Sequence, residues 1–112
     1  MTALAVALAV AFSAPGHTPR VNTKWHYVVR VTEHARPVRA RLTVELVDPL
    51  GSAHPADVGE TNRPITDYPI NGVYRDYLTF PAASRGIPLK VRVSAVAGGQ
   101  KRVVIYSVVP RR

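Results

Sequence analysis

The stretch LKVRVSAVAGGQKRVVIYSVVP, residues 89–110, contains the clearest β-hairpin pattern in the sequence. Apolar residues at 89, 91, 93 and 95 alternate with polar residues, and a period of two is typical of a strand with one buried face. Gly98 and Gly99 then supply a turn, and residues 102–109 return as a second strand. The pattern predicts an antiparallel hairpin.

The same alternation occurs twice upstream. Trp25, Tyr27, Val29 and Val31 share one parity of residues 24–31, and Ala40, Leu42, Val44 and Leu46 share one parity of residues 39–46. We expect two strands with buried apolar faces and charged outer faces, paired with each other as a hairpin across the polar residues 33–37.

The middle of the chain is richer in turn residues. Residues 48–64 predict a loop with one short strand around Val58, and residues 65–68 and 73–80 predict two further strands divided by Pro69 and the Asn71-Gly72 pair. The aromatic residues of 73–80 do not share one parity, which indicates a bulge near Arg75 and Asp76. About seven short strands without a helical period predict an all-β fold, an antiparallel sandwich.

The closing hairpin at residues 89–110 and an early tryptophan, Trp25, resemble those of fibronectin type III and bacterial immunoglobulin-like modules. The resemblance covers most of residues 24–110. It implies an immunoglobulin-like antiparallel β-sandwich, in a class whose members serve mostly in adhesion, in spacing and in carbohydrate or protein contact. It assigns no functional residue to this chain.

An uninterrupted apolar run from Ala3 to Phe12 opens the chain, followed by small residues. This is typical of a secretory signal, and we predict a signal peptide over residues 1–13, a linker over 14–23 and the domain over 24–110. The run is too short for a permanent membrane span, which needs about 20 apolar residues. A secreted or cell-envelope location follows; the alternative is that the run is a buried strand or helix of the domain itself.

Charge and composition restrict the partners. The 112 residues suffice for one domain, contain no cysteine for a disulfide or thiolate site, and carry a net charge of +8. We expect an anionic cell-surface polymer or an envelope protein as partner, bound by a basic face made of Arg30, Arg36, Arg39 and Arg41. The alternative is a solvated outer face, with arginine enriched by a GC-rich genome. Nucleic acid is not expected, because Trp25 and Tyr27 have inward parity and the protein is predicted to be exported.

Catalytic chemistry has little support in the sequence. Ser52 and His54 lie in one loop near Asp48, but no glycine pattern offers an oxyanion hole. His26 and His34 lack a third ligand at a recognisable spacing. We predict no catalytic residues, no metal site and no cofactor. The preferred function is a noncatalytic binding module; the alternatives are an adhesion domain that pairs through a sheet edge and, last, a small secreted hydrolase.

Overall fold

The computed structural model describes residues 8–58 and 63–112, and it is an all-β structure. The strands are β1 Leu8–Ser13, β2 Lys24–Glu33, β3 Arg36–Pro37, β4 Arg39–Val47, β5 Ala53–Pro55, β6 Asp57–Val58, β7 Arg63–Pro64, β8 Tyr68–Asn71, β9 Val73–Thr79, β10 Leu89–Ala97 and β11 Gln100–Val108. A 3₁₀ turn, Ala82–Ser84, lies between β9 and β10. Within the described ranges there is no helix long and apolar enough to cross a membrane.

Nine of these strands form one antiparallel sheet that folds over on itself. Its order is β1-β2-β9-β8-β4-β10-β11, with β3 added to β2 and β5 added to β4, while β6 and β7 pair separately. In a flat sheet, β2 and β11 would lie about 24 Å apart at the usual strand spacing. Instead, the ring centroids of Trp25 in β2 and Tyr106 in β11 are 5.8 Å apart. The sheet therefore has two facing layers: a first layer of β1, β2 and β9, and a second layer of β8, β4, β10 and β11.

The core lies between these layers and is rich in valine. Trp25, Tyr27, Val29 and Val31 of β2 are buried, as are Ala40, Leu42 and Val44 of β4. The alternation predicted for both strands is confirmed. The closing hairpin is also confirmed, because β10 and β11 pair in unbroken register around Gly98 and Gly99, which both have positive φ.

The predicted pairing of β2 with β4 is wrong. His34 and Ala35, both with positive φ, turn the chain back only for the two residues of β3. Val38 N–H donates one further backbone bond to the carbonyl of Val31 at 3.3 Å, and the chain then crosses to the second layer. There β4 pairs with β8, β10 and β5, whereas β2 pairs with β1, β9 and β3.

The predicted bulge in β9 is also wrong. β2 and β9 keep a regular register from Lys24 opposite Thr79 to Arg30 opposite Val73. The mixed parity has a simpler cause, because Tyr77 faces outward while Asp76 is buried on the inner face at 5% exposure.

The chain passes between the layers at Gly72, where β8 and β9 meet only through Asn71 and Val73. Gly72 has φ +79°, and a Cβ atom there would lie 2.5 Å from Cβ of Pro37. A side chain fits neither the backbone conformation nor the space. The Asn-Gly pair was predicted as a turn between two strands; in the structure it is the corner that joins the two layers.

The N-terminal apolar run contributes a strand of the sheet from Leu8 onward. β1 pairs with β2 along its whole length, and Leu8 is buried. Within the predicted linker, the backbone of residues 17–21 bonds that of residues 109–111, for example through Val109 N–H to the carbonyl of His17 at 2.8 Å. Cleavage after Ser13 would remove β1, so the predicted signal peptide and this pairing cannot coexist in one molecule. The signal peptide stays a prediction, and residues 1–7 lie outside the described ranges.

Candidate anion-binding site

The structure divides the four predicted arginines between the two layers. Arg30 is exposed on β2 in the first layer, and Arg36 is exposed on the short β3. Arg39 and Arg41 are exposed two residues apart on β4, on the outer face of the second layer. The single face expected for all four requires β2 to pair with β4, so only Arg39 and Arg41 are brought together.

Arg39 and Arg41 border a surface cleft of about 580 Å³, which we call the arginine cleft. It is lined also by Ala40, Pro69, Ile70, Asn71, Val96, Ala97 and Gly98. Strand register builds the cleft, because Arg39 lies opposite Asn71 of β8 and Arg41 lies between Pro69 of β8 and Val96 of β10. Proline and valine form apolar walls, while the two guanidinium groups and the Asn71 amide supply donors. The cleft thus offers hydrogen-bond donors and positive charge to a group bound within it.

The charges of these two arginines are not neutralised by any carboxylate in the described part of the chain. Arg41 Nη1 donates to the carbonyl oxygen of Asp67 at 3.3 Å, which orients the side chain without cancelling its charge. By contrast, Arg92 on the same outer face pairs with Glu45 at 2.9 Å. Guanidinium groups match the planar geometry of carboxylate and phosphate oxygens. The arrangement therefore favours an anionic ligand.

The loop that contains Ser52 and His54 is organised around Asp48. Its Oδ2 lies 2.9 Å from Nε2 of His54, and its Oδ1 accepts the backbone N–H groups of Leu50 and Ser52. The bond from His54 is the largest cause that lowers the pKa of Asp48, followed by the bond from Ser52. Of Ser52, Asp48 binds the backbone amide, and its contacts with Leu50, Ser52 and His54 hold a turn together.

A buried polar cluster inside the core is centred on Asp76, which the sequence interpretation placed in a bulge of the strand. The Tyr74 hydroxyl donates to Oδ2 of Asp76, and the Tyr77 N–H donates to its Oδ1 at 2.8 Å. Tyr27 lies opposite Asp76 across the strand pair. Burial, and then the charge of Asp76, raise the pKa of Tyr27, and burial with the hydrogen bond to Asp76 raises that of Tyr74. Both phenols therefore stay protonated. The sequence does indicate that Asp76 is buried, because Asp76 shares the strand parity of the buried Tyr74 and Leu78.

Among the residues that the structure describes, no group of three or more histidine and carboxylate side chains could hold a metal ion. His26 lies on β2, and His34 lies in the turn after β2 with φ 51°. Neither histidine belongs to such a group among the described residues.

Comparison with known proteins identifies a fold neighbour but no family. No protein-family model matches the chain, and no curated protein matches it significantly. The crystal structure of a DUF4466 family protein from Parabacteroides merdae ATCC 43184 superposes with a TM-score of 0.50 at 14% sequence identity. The match covers 92% of this chain but only 43% of the other. At this identity the similarity concerns the fold alone.

Proposed function

We propose that this chain is an immunoglobulin-like β-sandwich that acts as a noncatalytic binding module. Its ligand is an anionic group on a cell-surface polymer or an envelope protein, held in the cleft between Arg39 and Arg41. One observation carries this proposal: two exposed guanidinium groups border the same 580 Å³ cleft, and neither pairs with a described carboxylate.

The strand order supports the immunoglobulin-like part of the proposal. Among the seven principal strands in chain order (β1, β2, β4, β8, β9, β10, β11), the first, second and fifth form one layer and the rest form the other. An immunoglobulin constant-type domain places its first, second, fourth and fifth strands in one sheet and its third, sixth and seventh in the other. The two arrangements differ only in the layer that receives the fourth strand, here β8.

The spacing of the arginines suits a ligand that carries more than one anionic oxygen. Alternate residues on a strand are about 6.6 Å apart, so each guanidinium group can bind a separate oxygen of a phosphate or carboxylate group. Because both arginines are solvent-exposed, salt screens their attraction, and binding should weaken as ionic strength rises.

The direct test is binding of inorganic polyphosphate to the full chain, measured by isothermal titration calorimetry at several salt concentrations. The variant with Arg39→Gln and Arg41→Gln should lose most of the affinity. A matched control, Arg85→Gln with Arg102→Gln, removes the same net charge from exposed positions outside the cleft. Equal affinities for the two double variants would contradict a specific role of the cleft.

A second candidate function is edge pairing through β11. This strand pairs with β10 alone among the described strands, and it exposes Val103 and Ile105 at 51% and 52%. An apolar strand at a sheet edge can add a strand from a partner. Such binding would resist salt and would be lost in Ile105→Lys, whereas binding in the arginine cleft would survive that substitution.

We propose a location outside the cytoplasm on the strength of the apolar N-terminal run alone. The same run supplies β1, so an exported protein that keeps this fold must retain residues 8–13. The intact mass of the protein recovered from the envelope and the medium shows whether residues 8–13 are retained. A cytoplasmic chain would remove the export part of the proposal and leave the cleft untouched.

A further inference from the structure

The outer face of the first layer carries a second basic surface, which we call the cationic stripe. It consists of Lys24, His26 and Arg30 on β2 and of Arg75 and Tyr77 on β9. The three cationic side chains (Lys24, Arg30 and Arg75) and the His26 imidazole are exposed, and Tyr77 is half-buried. The described outward-facing residues of β1, β2 and β9 include no carboxylate. With the chain at +8 overall, this stripe is a positive surface on the layer opposite to the arginine cleft.

Tyr77 is an aromatic side chain set among these positive charges. It lies opposite His26 in the strand register, with ring centroids 5.7 Å apart, and Nζ of Lys24 lies 4.8 Å from the centroid of its ring. Tyr77 and Arg75 both line a depression of about 200 Å³. Its other lining residues are His26, Val28 and the inward-facing Tyr27 and Asp76. A planar group could therefore enter beside the ring while remaining close to a guanidinium group.

We propose that the cationic stripe binds single-stranded nucleic acid, with a base stacked at Tyr77 and phosphates bound by Lys24, Arg30 and Arg75. A basic surface that tracks the backbone, combined with an aromatic ring for the bases, is the general requirement for such binding. Positive charge alone would suit any polyanion, and the outward-facing ring of Tyr77 adds a stacking surface for the planar bases of a single strand.

The sequence gives two reasons to expect no nucleic-acid binding: the aromatic residues Trp25 and Tyr27 have inward parity, and the protein is predicted to be exported. Trp25 and Tyr27 do face inward, but Tyr77 faces outward beside the basic residues, so the first reason does not hold for the folded chain. This inference is independent of the arginine cleft, because the two surfaces lie on different layers and share no residue.

The test is fluorescence anisotropy of a labelled twelve-residue oligothymidylate titrated with the full chain at a series of salt concentrations. Three phosphate contacts on a single strand predict a slope of about −2 for log K against log salt, and removing one cation should flatten the slope by about 0.7. We expect this flattening of the slope in each of three single variants, Lys24→Gln, Arg30→Gln and Arg75→Gln. Tyr77→Ala should weaken binding about tenfold at an unchanged slope, while Tyr77→Phe should bind like the parent.

Two controls distinguish binding at the cationic stripe from binding at the arginine cleft and from general attraction of polyanions. Arg39→Gln with Arg41→Gln removes any binding of phosphate groups in the arginine cleft and should leave the loss of affinity in Tyr77→Ala unchanged, so failure of one surface is distinguishable from failure of the other. Polygalacturonate should be bound more weakly than oligothymidylate and should not respond to Tyr77→Ala. The inference is overturned if oligothymidylate does not bind at low salt, if Tyr77→Ala binds it as tightly as the parent, or if polygalacturonate binds better. Circular dichroism of each variant confirms that it is folded.

Discussion

Replacement of Phe12 by alanine probes whether β1 is an integral strand of the domain. The Phe12 ring packs on three aromatic rings of the core, with centroid distances of 5.3 Å to Tyr27, 5.0 Å to Tyr106 and 6.0 Å to Trp25. A fully buried phenylalanine costs about 3–5 kcal/mol when it is truncated to alanine. Phe12 is half-buried. We therefore expect the free energy of unfolding to fall by about 2–3 kcal/mol and Tm to fall by about 10 °C.

Urea unfolding followed by tryptophan fluorescence measures this change. Trp25 is the sole tryptophan of the chain, and it lies next to Phe12, so its emission reports on the packing that the substitution alters. Ala11→Ser is the matched control, because Ala11 is exposed on the same strand and its replacement should change the stability by less than about 0.5 kcal/mol. If Phe12→Ala and Ala11→Ser were equally stable, β1 would not be packed in the folded protein.

Three further predictions concern the corner, the core and the Asp48 turn. Gly72→Ala should destabilise the fold by at least about 2 kcal/mol, because the added Cβ meets Pro37 at a positive φ; thermal unfolding measures this. Leu42→Ala, at a fully buried site, should cost about 3 kcal/mol in urea unfolding. An NMR titration should show Asp48 with a pKa below its ordinary value, and His54→Ala should raise it. The lowered pKa means that this interaction stabilises the fold above the ordinary aspartate pKa and is lost as pH falls through the lowered value; an unchanged Asp48 pKa in His54→Ala would contradict the role given to His54.

The strands themselves were predictable from alternation, but their partners were not. The period of two identified β2, β4 and β10, because each buries one face. β11 was recognised as the strand that returns after the Gly98-Gly99 turn. Pairing depends on where the chain crosses between layers, and that crossing was set by a two-residue strand ending at Pro37 and by a glycine corner at Gly72. Neither feature has a distinctive periodic pattern. For the hairpin of β10 and β11, both the strands and their pairing could be predicted, because two adjacent glycines mark the turn.

The candidate site was likewise predictable only in part. Exposure of Arg39 and Arg41 on one face follows from their parity on β4, and the sequence predicted it. Their cleft depends on Asn71 and Val96, which are distant in the chain and become neighbours only through the order β8-β4-β10. The apolar run at the N-terminus shows a further limit, because a short hydrophobic segment has the composition of both a signal core and a buried strand.

Anion binding in the arginine cleft can be mapped by an NMR titration of the ¹⁵N-labelled full chain with inorganic pyrophosphate. We predict saturable shifts of the Arg39 and Arg41 side-chain Nε–H signals and of the backbone amides of Asn71 and Gly98, all of which line the cleft. These shifts should disappear in the variant with Arg39→Gln and Arg41→Gln. If millimolar pyrophosphate leaves these signals unmoved, or if the double variant shifts as the parent does, the arginine cleft is not an anion-binding site.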